Sequence, residues 1–295
     1  MKIEFTKMHG LGNDFILIDC RETKIPNLSK LSERLCDRRF GIGADQLLTL
    51  YPSRVADFRM GIFNADGSEV EMCGNGIRCL AKYIWDRGLS EKRAIQVETL
   101  AGIIRPERVN GLIRVDMGEP ILEPEKIPVD IRQRSAVSSQ QLAGQPRAKN
   151  SKFVMDYPLQ IGDREFRVTC VSMGNPHAVI VTDSLSEFPV AYYGPAIEHH
   201  PLFPKRTNVE FIEVLNRSEI RMKVWERGAG ETMACGTGAC AAAVAAHLQG
   251  LTERSVTTHL GGGDLFIDWD KDAHVYMTGP AAEVFTGTIN LDSLG

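Results

Sequence analysis

Apolar residues recur along the chain in short runs that alternate with polar residues or are rich in β-branched side chains. Runs of this kind are typical of strands with at least one buried face. They are IEFT, FILID, FRMGIF, AIQVET and LIRVDM in the first half, and FRVTCV, HAVIVT, VEFIEV, EIRMKVW, LFIDW and HVYM in the second. The pattern predicts a protein in which strands outnumber helices.

Two segments instead carry the signature of a helix. In Asn75 to Arg87, apolar residues recur at intervals of three and four, as on the buried face of a helix. Thr237 to Gln249 is mostly Ala, Cys and Val, a composition typical of a helix buried on all sides. A glycine follows each segment and is expected to form its C-terminal cap. Lesser turns or helices are expected in 30–39 and 251–255.

Both helical segments follow a Cys-Gly-polar-Gly motif, and the two motifs belong to an internal repeat. Subtracting Cys73 from Cys235 gives an offset of 162 residues. The same offset relates further polar positions: Asn175 to Asn13, Asn208 to Gln46 and Glu226 to Asn64. Scattered core residues have no reason to keep a constant spacing, so a duplicated unit is the simplest explanation. Met277 minus Met117 gives 160, a slip that one small deletion would explain.

The repeat predicts an α+β fold of two pseudo-symmetric domains. We expect each domain to be a curved mixed sheet or barrel around a central helix, with the active site in the cleft between them. The first domain is expected to comprise 1–130 plus 280–295, and the second 131–279. A chain of 295 residues is long enough for two ordinary domains. Prolines and small polar residues in 119–151 indicate a partly mobile crossing between the domains.

Composition and charge limit the cellular compartments and the classes of binding partner that we expect for this protein. A net charge of −4 gives no reason to expect nucleic acid or an anionic membrane as a partner. Charged residues near the start and the lack of any run of about 18 apolar residues argue against a secretory signal or a membrane span. Seven cysteines without a CxxC pair favour reduced thiols in the cytoplasm and no metal site. We therefore expect a cytoplasmic protein that binds small molecules.

The two motif cysteines are candidate acid/base groups. Each motif starts a helix, where backbone N–H groups bind an anion and lower the pKa of a thiol. Two such motifs could hold one carboxylate and place a thiol on each face of the adjacent carbon. The thiolate would remove a proton, and the protonated thiol would deliver one to the opposite face. The amides expected to stabilise the developing charge belong to Gly74, Asn75, Gly236 and Thr237. The other five cysteines are interpreted as buried apolar residues.

The residues alone leave two other functions open. A cysteine hydrolase would need a histidine within hydrogen-bond reach of its thiol, and His177 is a candidate. That chemistry would leave the second thiol motif without a function. A non-catalytic amino-acid-binding protein remains possible if both thiols are structural.

Six motifs together resemble those of the diaminopimelate epimerases: HGLGNDFILID, GIGADQ, FNADGSEVEMCGNGIRC, GNPH, RTNVEF and WERGAGETMACGTGACA. The resemblance covers residues 2 to about 287 and lapses mainly in 128–151, which is longer than usual. It implies a PLP-independent isomerase without a cofactor that interconverts LL- and meso-diaminopimelate, on the way to lysine and to peptidoglycan. A related racemase or isomerase acting on another amino acid is the alternative.

The resemblance also implies roles for individual residues. Cys73 and Cys235 match the two acid/base thiols, with Cys235 the base from LL to meso, Cys73 the donor, and these roles exchanged in reverse. His177 and Glu226 match positions that adjust the pKa values of the thiols. The expected substrate-binding residues are Asn13, Gln46, Asn64, Gly74, Asn75, Asn175, Asn208, Glu226, Arg227, Gly236 and Thr237. Among these, Arg227 offers a fork for the distal carboxylate and Glu226 can hold an ammonium group.

One position departs from the family pattern. Phe285 stands where many members carry a tyrosine in the last strand. In the family that strand returns to the first domain and contributes to a homodimer interface. The resemblance therefore implies a homodimer, whose interface would lack the hydrogen bond of that tyrosine.

Overall fold

The computed structural model of the protein describes residues 1–131 and 153–291. Within these ranges, mixed sheets predominate over helices, and the chain divides into two compact units. Unit 1 comprises Met1–Met117, Gly262–Leu265 and Tyr276–Gly295, and unit 2 comprises Gly118–Gly261 and Phe266–Val275. The predicted α+β class and the two-domain organisation are confirmed.

The first boundary lies earlier in the chain than predicted. Unit 1 ends at Met117 rather than at residue 130. The segment that follows belongs to unit 2, because Ile121 forms a β-bridge with Ser172. Farther along the same segment, Ile127 and Val129 are buried in the hydrophobic core of unit 2. This apolar anchoring places the segment in unit 2.

The chain also returns to unit 1 earlier than predicted, at Tyr276 rather than at residue 280. A short piece before it, Gly262–Leu265, belongs to unit 1 as well. A Cβ at Gly262 would lie 1.9 Å from the carbonyl oxygen of Leu11, so this close approach requires glycine. Most of the predicted mobile crossing, residues 132–151, lies outside the described residues.

The described chain up to residue 131 forms eight strands and two helices. In order, they are β1 (Lys2–Gly10), β2 (Asn13–Asp19), α1 (Leu28–Cys36), β3 (Gln46–Tyr51), β4 (Phe58–Asn64), α2 (Gly74–Asp86), β5 (Val97–Thr99), β6 (Gly102–Ile104), β7 (Glu107–Val109) and β8 (Leu112–Asp116).

Residues 153–291 form ten strands and two helices. They are β9 (Tyr157–Ile161), β10 (Arg164–Ser172), β11 (Pro176–Val181), α3 (Val190–Glu198), β12 (Asn208–Asn216), β13 (Glu219–Glu226), β14 (Gly230–Thr232), α4 (Gly236–Leu248), β15 (Ser255–Leu260), β16 (Gly263–Trp269), β17 (Val275–Gly279) and β18 (Ala282–Asn290).

Unit 1 is built on a seven-stranded sheet in the order β18-β1-β2-β3-β4-β5-β6. From β1 to β5 its neighbouring strands pair alternately antiparallel and parallel. Helix α2 packs against this sheet through Ile77, Leu80 and Ile84, which share a hydrophobic core with Phe15 and Leu48. The three- and four-residue spacing of the apolar residues in α2 thus places its buried face on the sheet.

Unit 2 contains a sheet with the strand order β15-β13-β12-β11-β10-β9. Helix α4 packs against five of these strands, β10 to β13 and β15. Every residue from Gly238 to Ala246 is buried, as the apolar composition of this helix predicts. Because alanine side chains are small, the sheet can pack close to the helix. Larger side chains would need more space than this close-packed interior provides.

The two units repeat one plan, as the sequence offset predicts. Gly236 minus Gly74 gives 162 between the helix starts. Unit 2 also reproduces the alternation of unit 1: β10/β11 and β12/β13 are antiparallel, whereas β11/β12 and β13/β15 are parallel. The last parallel pair joins Phe58 to Val97 in unit 1 and Ile220 to Thr258 in unit 2. The offset is still 162 between Phe58 and Ile220 but 161 between Val97 and Thr258. The change from 162 towards 160 therefore begins before β5.

Both long helices end as predicted. Gly88 follows α2 with φ 67, and Gly250 follows α4 with φ 74. This left-handed conformation suits glycine because it has no Cβ. Residues 251–254 form bends, in keeping with the predicted turn or helix, and Ser255 is already the first residue of β15.

The sequence pattern did not predict α3 or the strands β3, β6, β7, β9, β14 and β15. Helix α3 contains Gly194 and Pro195, residues that usually end a helix. A Cβ at Gly194 would lie 2.5 Å from the Trp225 ring, so tertiary packing requires the glycine. Strand β3, QLLTLY, lacks the alternation of apolar and polar residues, and its four central residues, Thr49 among them, are buried.

Candidate active site

Cys73 caps the first turn of α2 with its sulfur. The residue is extended, with φ −138 and ψ 117, and its Sγ accepts a hydrogen bond from the Gly76 N–H at 3.4 Å. The Nδ2 group of Asn75 donates to Asn13 Oδ1 at 3.1 Å, and Cys73 Sγ lies 3.9 Å from that oxygen. The thiol of unit 1 therefore lies among neutral amides at the positive end of a helix dipole.

Arg78 orients this group of amides from behind. Its side chain is wholly buried. The guanidinium donates to Asn75 Oδ1 at 2.8 Å and to the Pro280 carbonyl oxygen at 3.2 Å. Because it donates to the oxygen of Asn75, the amide nitrogen of that residue is directed to Asn13. Arg78 was not among the predicted site residues, although a charged residue within the predicted buried helix is an unusual feature of the sequence.

Gln46 and Asn64 form a second polar pair in unit 1, where β3 begins and β4 ends. They are directly opposite in the antiparallel register, and Gln46 Nε2 donates to Asn64 Oδ1 at 2.8 Å. Asn64 Nδ2 donates in turn to the Ser68 hydroxyl at 2.9 Å. The buried Gln46 Oε1 accepts no hydrogen bond from residues 1–131 or 153–291. This oxygen is a candidate acceptor for an ammonium group.

Cys235 repeats the sulfur cap in unit 2. It is extended, with φ −123 and ψ 115, and its Sγ accepts from the Gly238 N–H at 3.4 Å. The Thr237 hydroxyl lies 3.5 Å from the sulfur. Asn175 Nδ2 donates to this hydroxyl at 3.3 Å. With the offset of 162, Asn175 is equivalent to Asn13 and Thr237 to Asn75, which are also bonded to each other. The two motifs therefore share one local arrangement.

His177 and Glu210 extend the polar group of unit 2 into its core. Both side chains are wholly buried, and His177 Nδ1 lies 2.7 Å from Glu210 Oε1. His177 Nε2 lies 3.0 Å from Asn175 Oδ1. His177 was among the predicted site residues, whereas Glu210 was not. The signal in the sequence was weak: Glu210 stands between two apolar residues in the apolar-rich run VEFIEV, but Glu213 does so as well.

The environment of Cys235 favours the neutral thiol. Burial raises the pKa of Cys235 well above its usual range, and the carboxylates of Glu226 and Glu210 raise it further. Hydrogen bonds from Thr237 and Gly238 oppose this only in part. The expectation that the helix start lowers the thiol pKa is therefore wrong for Cys235, because desolvation and two carboxylates outweigh the donors.

Glu226 is also shifted by its surroundings. Burial raises its pKa, whereas hydrogen bonds with Thr232 and Cys235 lower it. The carboxyl group and the thiol are thus close enough to influence each other's ionisation. This proximity agrees with a role for Glu226 in adjusting the thiol pKa.

Asn208 and Arg227 meet where β12 begins and β13 ends. Asn208 Nδ2 donates to the Pro176 carbonyl oxygen at 2.9 Å, and its Oδ1 accepts from the Arg227 N–H at 2.9 Å. Asn208 therefore positions the backbone of Arg227. The exposed guanidinium of Arg227 donates to the Lys205 carbonyl oxygen at 3.3 Å and retains other N–H groups for a ligand.

The turn that carries Glu226 and Arg227 is held on both sides by a buried carboxylate. Glu198 in α3 accepts from the Trp225 indole N–H at 2.8 Å and from the Gly228 N–H at 3.1 Å. These two donors flank Glu226 and Arg227 in the chain. Helix α3 thus fixes the orientation of the turn, a function that the sequence pattern did not reveal.

The predicted site residues fall into two groups, one in each unit. Unit 1 contains Asn13, Gln46, Asn64, Cys73, Gly74 and Asn75. Unit 2 contains Asn175, His177, Asn208, Glu226, Arg227, Cys235, Gly236 and Thr237. In each group the sulfur accepts a backbone N–H of the first helical turn, and an asparagine, Asn13 or Asn175, bonds to that turn. Gln46 with Asn64, and Asn208 with Arg227, form separate polar pairs.

Replacing Glu226 with Gln is expected to lower the pKa of Cys235. The substitution removes a negative charge that raises this pKa, so the thiolate should form at lower pH than in the wild-type protein. Titration of thiolate ultraviolet absorbance, after subtraction of the same titration for Cys235→Ala, measures the change. Glu231→Gln, an exposed site in β14, is the control and should leave the midpoint in place. A midpoint that is unchanged or higher in Glu226→Gln would contradict the electrostatic role.

Two absences hold for the described residues. In 1–131 and 153–291, no group of three or more His, Cys, Asp or Glu side chains is placed to hold a metal ion. Over the same residues, no helix has the length and apolar character needed to cross a membrane.

Sequence comparisons agree over nearly the whole chain. A family model described as diaminopimelate epimerase matches residues 5–123 and 169–284. The chain is 55% identical to a diaminopimelate epimerase of Moorella thermoacetica, with 98% of this chain and 100% of the relative covered. It is 50% identical to the corresponding protein of Acetivibrio thermocellus, with 99% and 100% covered.

Similar solved structures are more distant in sequence. A PhzF-family phenazine biosynthesis protein of Bacillus anthracis has a TM-score of 0.70 at 17% identity, covering 99% of this chain and 100% of the other. A hydroxyproline epimerase of Agrobacterium vitis with bound trans-4-hydroxy-L-proline has a TM-score of 0.67 at 14% identity, covering 99% and 93%. At these identities the likeness shows the fold alone.

Proposed function

The chain belongs to the diaminopimelate epimerase family, and from this premise we propose that Cys73 and Cys235 are the two acid/base groups of its reaction. The protein is an isomerase that converts LL- to meso-diaminopimelate in lysine biosynthesis. The two thiols act without a cofactor on a single α carbon, and the meso product also supplies peptidoglycan precursors.

The observation that carries this proposal is the matched setting of the two sulfurs. Each is the N-cap of a helix, in an extended residue, and accepts a backbone N–H at 3.4 Å. Inversion at carbon needs a base on one face and an acid on the other. A duplicated motif that presents the same group twice meets that chemical requirement.

In the direction from LL to meso, Cys235 removes the α proton and Cys73 delivers a proton to the opposite face. The negative charge that develops on the substrate carboxylate is stabilised by the first N–H groups of α2 and α4. In the reverse direction the two thiols exchange roles. One sulfur must therefore be ionised while the other is protonated.

Substrate binding provides a way to ionise Cys235. The charge of Glu226 helps to keep this thiol neutral. A substrate ammonium group paired with Glu226 would offset that charge and favour the thiolate. The base would then form when the substrate is present, which limits side reactions of a free thiolate.

The remaining polar residues suit a substrate that carries charge at both ends. Arg227 can bind the distal carboxylate through two N–H groups, as a guanidinium does best. Gln46 Oε1 is a buried acceptor for an ammonium group, and Asn64 holds the amide of Gln46 in place. Asn13 and Asn175 support the first turns of the two helices by bonding to Asn75 and Thr237.

Incubating the protein with LL-diaminopimelate in deuterated water tests the function. We expect meso product with deuterium at one α position and no need for an added cofactor. Exchange only with proline or another amino acid would instead favour a related racemase. Binding of diaminopimelate without exchange would favour a non-catalytic binding protein.

We also propose that the protein is a cytoplasmic homodimer. Strand β18 ends the strand order of the unit 1 sheet, and Val284 and Phe285 are 56% and 47% exposed on it. Phe285 packs edge-on against Phe5 with ring centroids 6.0 Å apart, so an aromatic contact stands where many relatives would place a hydroxyl. All seven cysteines are free, which suits a reducing compartment. Sedimentation as a monomer at every concentration would contradict the dimer.

A further inference from the structure

Two buried ionisable residues, Glu210 and His177, lie beside the Cys235 motif at positions that the fold can fill with apolar residues. Subtracting the repeat offset of 162 from 210 and 177 gives Leu48 and Phe15 of unit 1, and all four side chains are wholly buried. Burying a carboxylate is costly unless it is paired and hydrogen-bonded. A function specific to unit 2 would explain why the costly pair is found there.

Glu210 lies close to the sulfur of Cys235. A Cβ at Gly238 would be 2.8 Å from Glu210 Oε1 and 3.2 Å from Cys235 Sγ, so 2.8 plus 3.2 limits the separation of those two atoms to 6.0 Å. The other carboxylate oxygen, Oε2, is buried and accepts no hydrogen bond within the described part of the chain. His177 is therefore the partner that compensates this charge.

The carboxylate determines which proton His177 must carry. An ionised carboxylate only accepts hydrogen bonds, so the 2.7 Å contact requires a proton on His177 Nδ1. The second ring nitrogen, Nε2, is then the one whose hydrogen-bonding role, donor or acceptor, is left open. It faces Asn175, whose amide leads to Thr237 and from there to Cys235.

This chain of hydrogen bonds can run in either of two directions. With Nε2 protonated, the ring donates to Asn175 Oδ1, Asn175 Nδ2 donates to Thr237, and the threonine hydroxyl is free to donate to the sulfur. A thiolate is the favoured acceptor at that end. With Nε2 unprotonated, the Asn175 amide must turn to donate to it, and the S–H of Cys235 becomes the first donor of the chain.

We propose that Glu210 is a positioning residue for Cys235: by holding the Nδ1 proton of His177, it makes Nε2 the site whose protonation sets the direction of the hydrogen-bond chain to the reacting sulfur. Glu210 thus acts through His177 and does not touch the substrate. This inference rests on the proposed function in one respect, since it assigns Cys235 an acid/base role. The titratable groups facing the pair from the packed elements are Cys170, Glu226 and Cys235.

The ring of His177 gives a readout that does not depend on activity. Proton–nitrogen NMR correlation distinguishes the two neutral tautomers and the imidazolium. We expect the wild-type protein to carry the Nδ1 proton, and Glu210→Leu to shift the neutral ring to the Nε2–H form that can still donate to Asn175. Leu48 occupies the equivalent position in unit 1, so leucine is the natural apolar replacement. Glu210→Gln offers Nδ1 either an amide donor or an amide acceptor, so it no longer obliges the ring to carry the Nδ1 proton, and it serves if the leucine variant fails to fold.

A double-mutant cycle tests whether Glu210 acts through His177. Glu210→Gln alone should reduce kcat for LL-to-meso conversion by about 10- to 100-fold, the range found for residues that orient a reacting group. KM should change less. In a His177→Gln background the same substitution should change kcat by less than about threefold, because the residue it acts through is gone. Glu213→Gln, the same chemical change elsewhere on β12, is the control and should retain full activity.

Three results would overturn the inference. They are an unchanged His177 tautomer in Glu210→Leu, a loss of kcat that is the same with and without His177, and full activity of Glu210→Gln. If the wild-type protein neither exchanges nor inverts diaminopimelate, the proposed function fails instead. The tautomer measurement would then still decide whether Glu210 holds the ring.

Discussion

Replacing Cys235 with Ala is expected to reduce LL-to-meso conversion by about 10⁴-fold or more, the upper end of what one general acid/base group contributes. Replacing Cys73 with Ala should have an effect of the same size. The amides, the hydroxyl and the backbone N–H groups bonded to the sulfurs are not acids or bases near neutral pH. The Glu226 carboxyl beside Cys235 is a much weaker base than a thiolate, so it does not replace the sulfur. Conversion is measured by chiral separation of the product.

Exchange with solvent separates the roles of the two thiols. Cys73→Ala retains the base for the LL isomer, so deuterium should enter LL-diaminopimelate without forming meso product at an appreciable rate. Cys235→Ala should behave in the opposite way and exchange the meso isomer only. Complete loss of exchange with both isomers in both variants would contradict separate roles for the two sulfurs.

Cys79→Ala is the matched control for these variants. Cys79 lies in the same helix as the Cys73 motif but is wholly buried in the unit 1 core. Burial raises its pKa to about 12, so it remains a neutral apolar side chain at physiological pH. Its loss should cost about 1 kcal/mol of stability and leave turnover intact. Equal loss of activity in all three variants would mean that core packing had been mistaken for chemistry.

Replacing Arg78 with Met is expected to lower the free energy of unfolding by about 2–4 kcal/mol. Methionine fills part of the volume but donates no hydrogen bonds. Asn75 Oδ1 and the Pro280 carbonyl oxygen would lose their guanidinium donor, and each unsatisfied buried acceptor costs about 1–3 kcal/mol. Activity should fall as well, because Asn75 would no longer be oriented toward Asn13. Urea denaturation gives the stability change.

Arg87→Met makes the same substitution at the end of the same helix. Arg87 reaches Glu283 at 2.9 Å, with both side chains partly exposed. Such a pair contributes less than about 1 kcal/mol because water and salt screen it. If the two variants were equally destabilised, the buried network around Arg78 would have no special role.

The sequence predicted those features of the site that depend on local chain geometry. The Cys-Gly-polar-Gly motifs predicted sulfurs at helix starts, and both Cys73 and Cys235 cap helices. The offset of 162 predicted equivalent polar pairs, and the bond of Asn13 to Asn75 recurs as that of Asn175 to Thr237. These features follow from spacing, which the sequence records directly.

Other features depend on what surrounds a residue in three dimensions. Glu210, Arg78 and Glu198 were missed because their importance comes from partners distant in the chain. Helix α3 was missed because the packing of Gly194 on Trp225 overrides the weak helix propensity of glycine. The pKa of Cys235 was predicted in the wrong direction because its burial was not visible in the motif.

Cysteine is an unusual choice for the residue that starts a helix, since oxygen side chains are ordinarily preferred there. In this protein the sulfurs of Cys73 and Cys235 accept the hydrogen bonds that cap α2 and α4. The same two sulfurs are proposed to remove and deliver the α proton. Every change in protonation would thus slightly strengthen or weaken the anchoring of α2 and α4. Serine at either position would preserve the anchoring but give up the acidity, so the helix starts tolerate another capping residue at these two positions whereas the reaction does not.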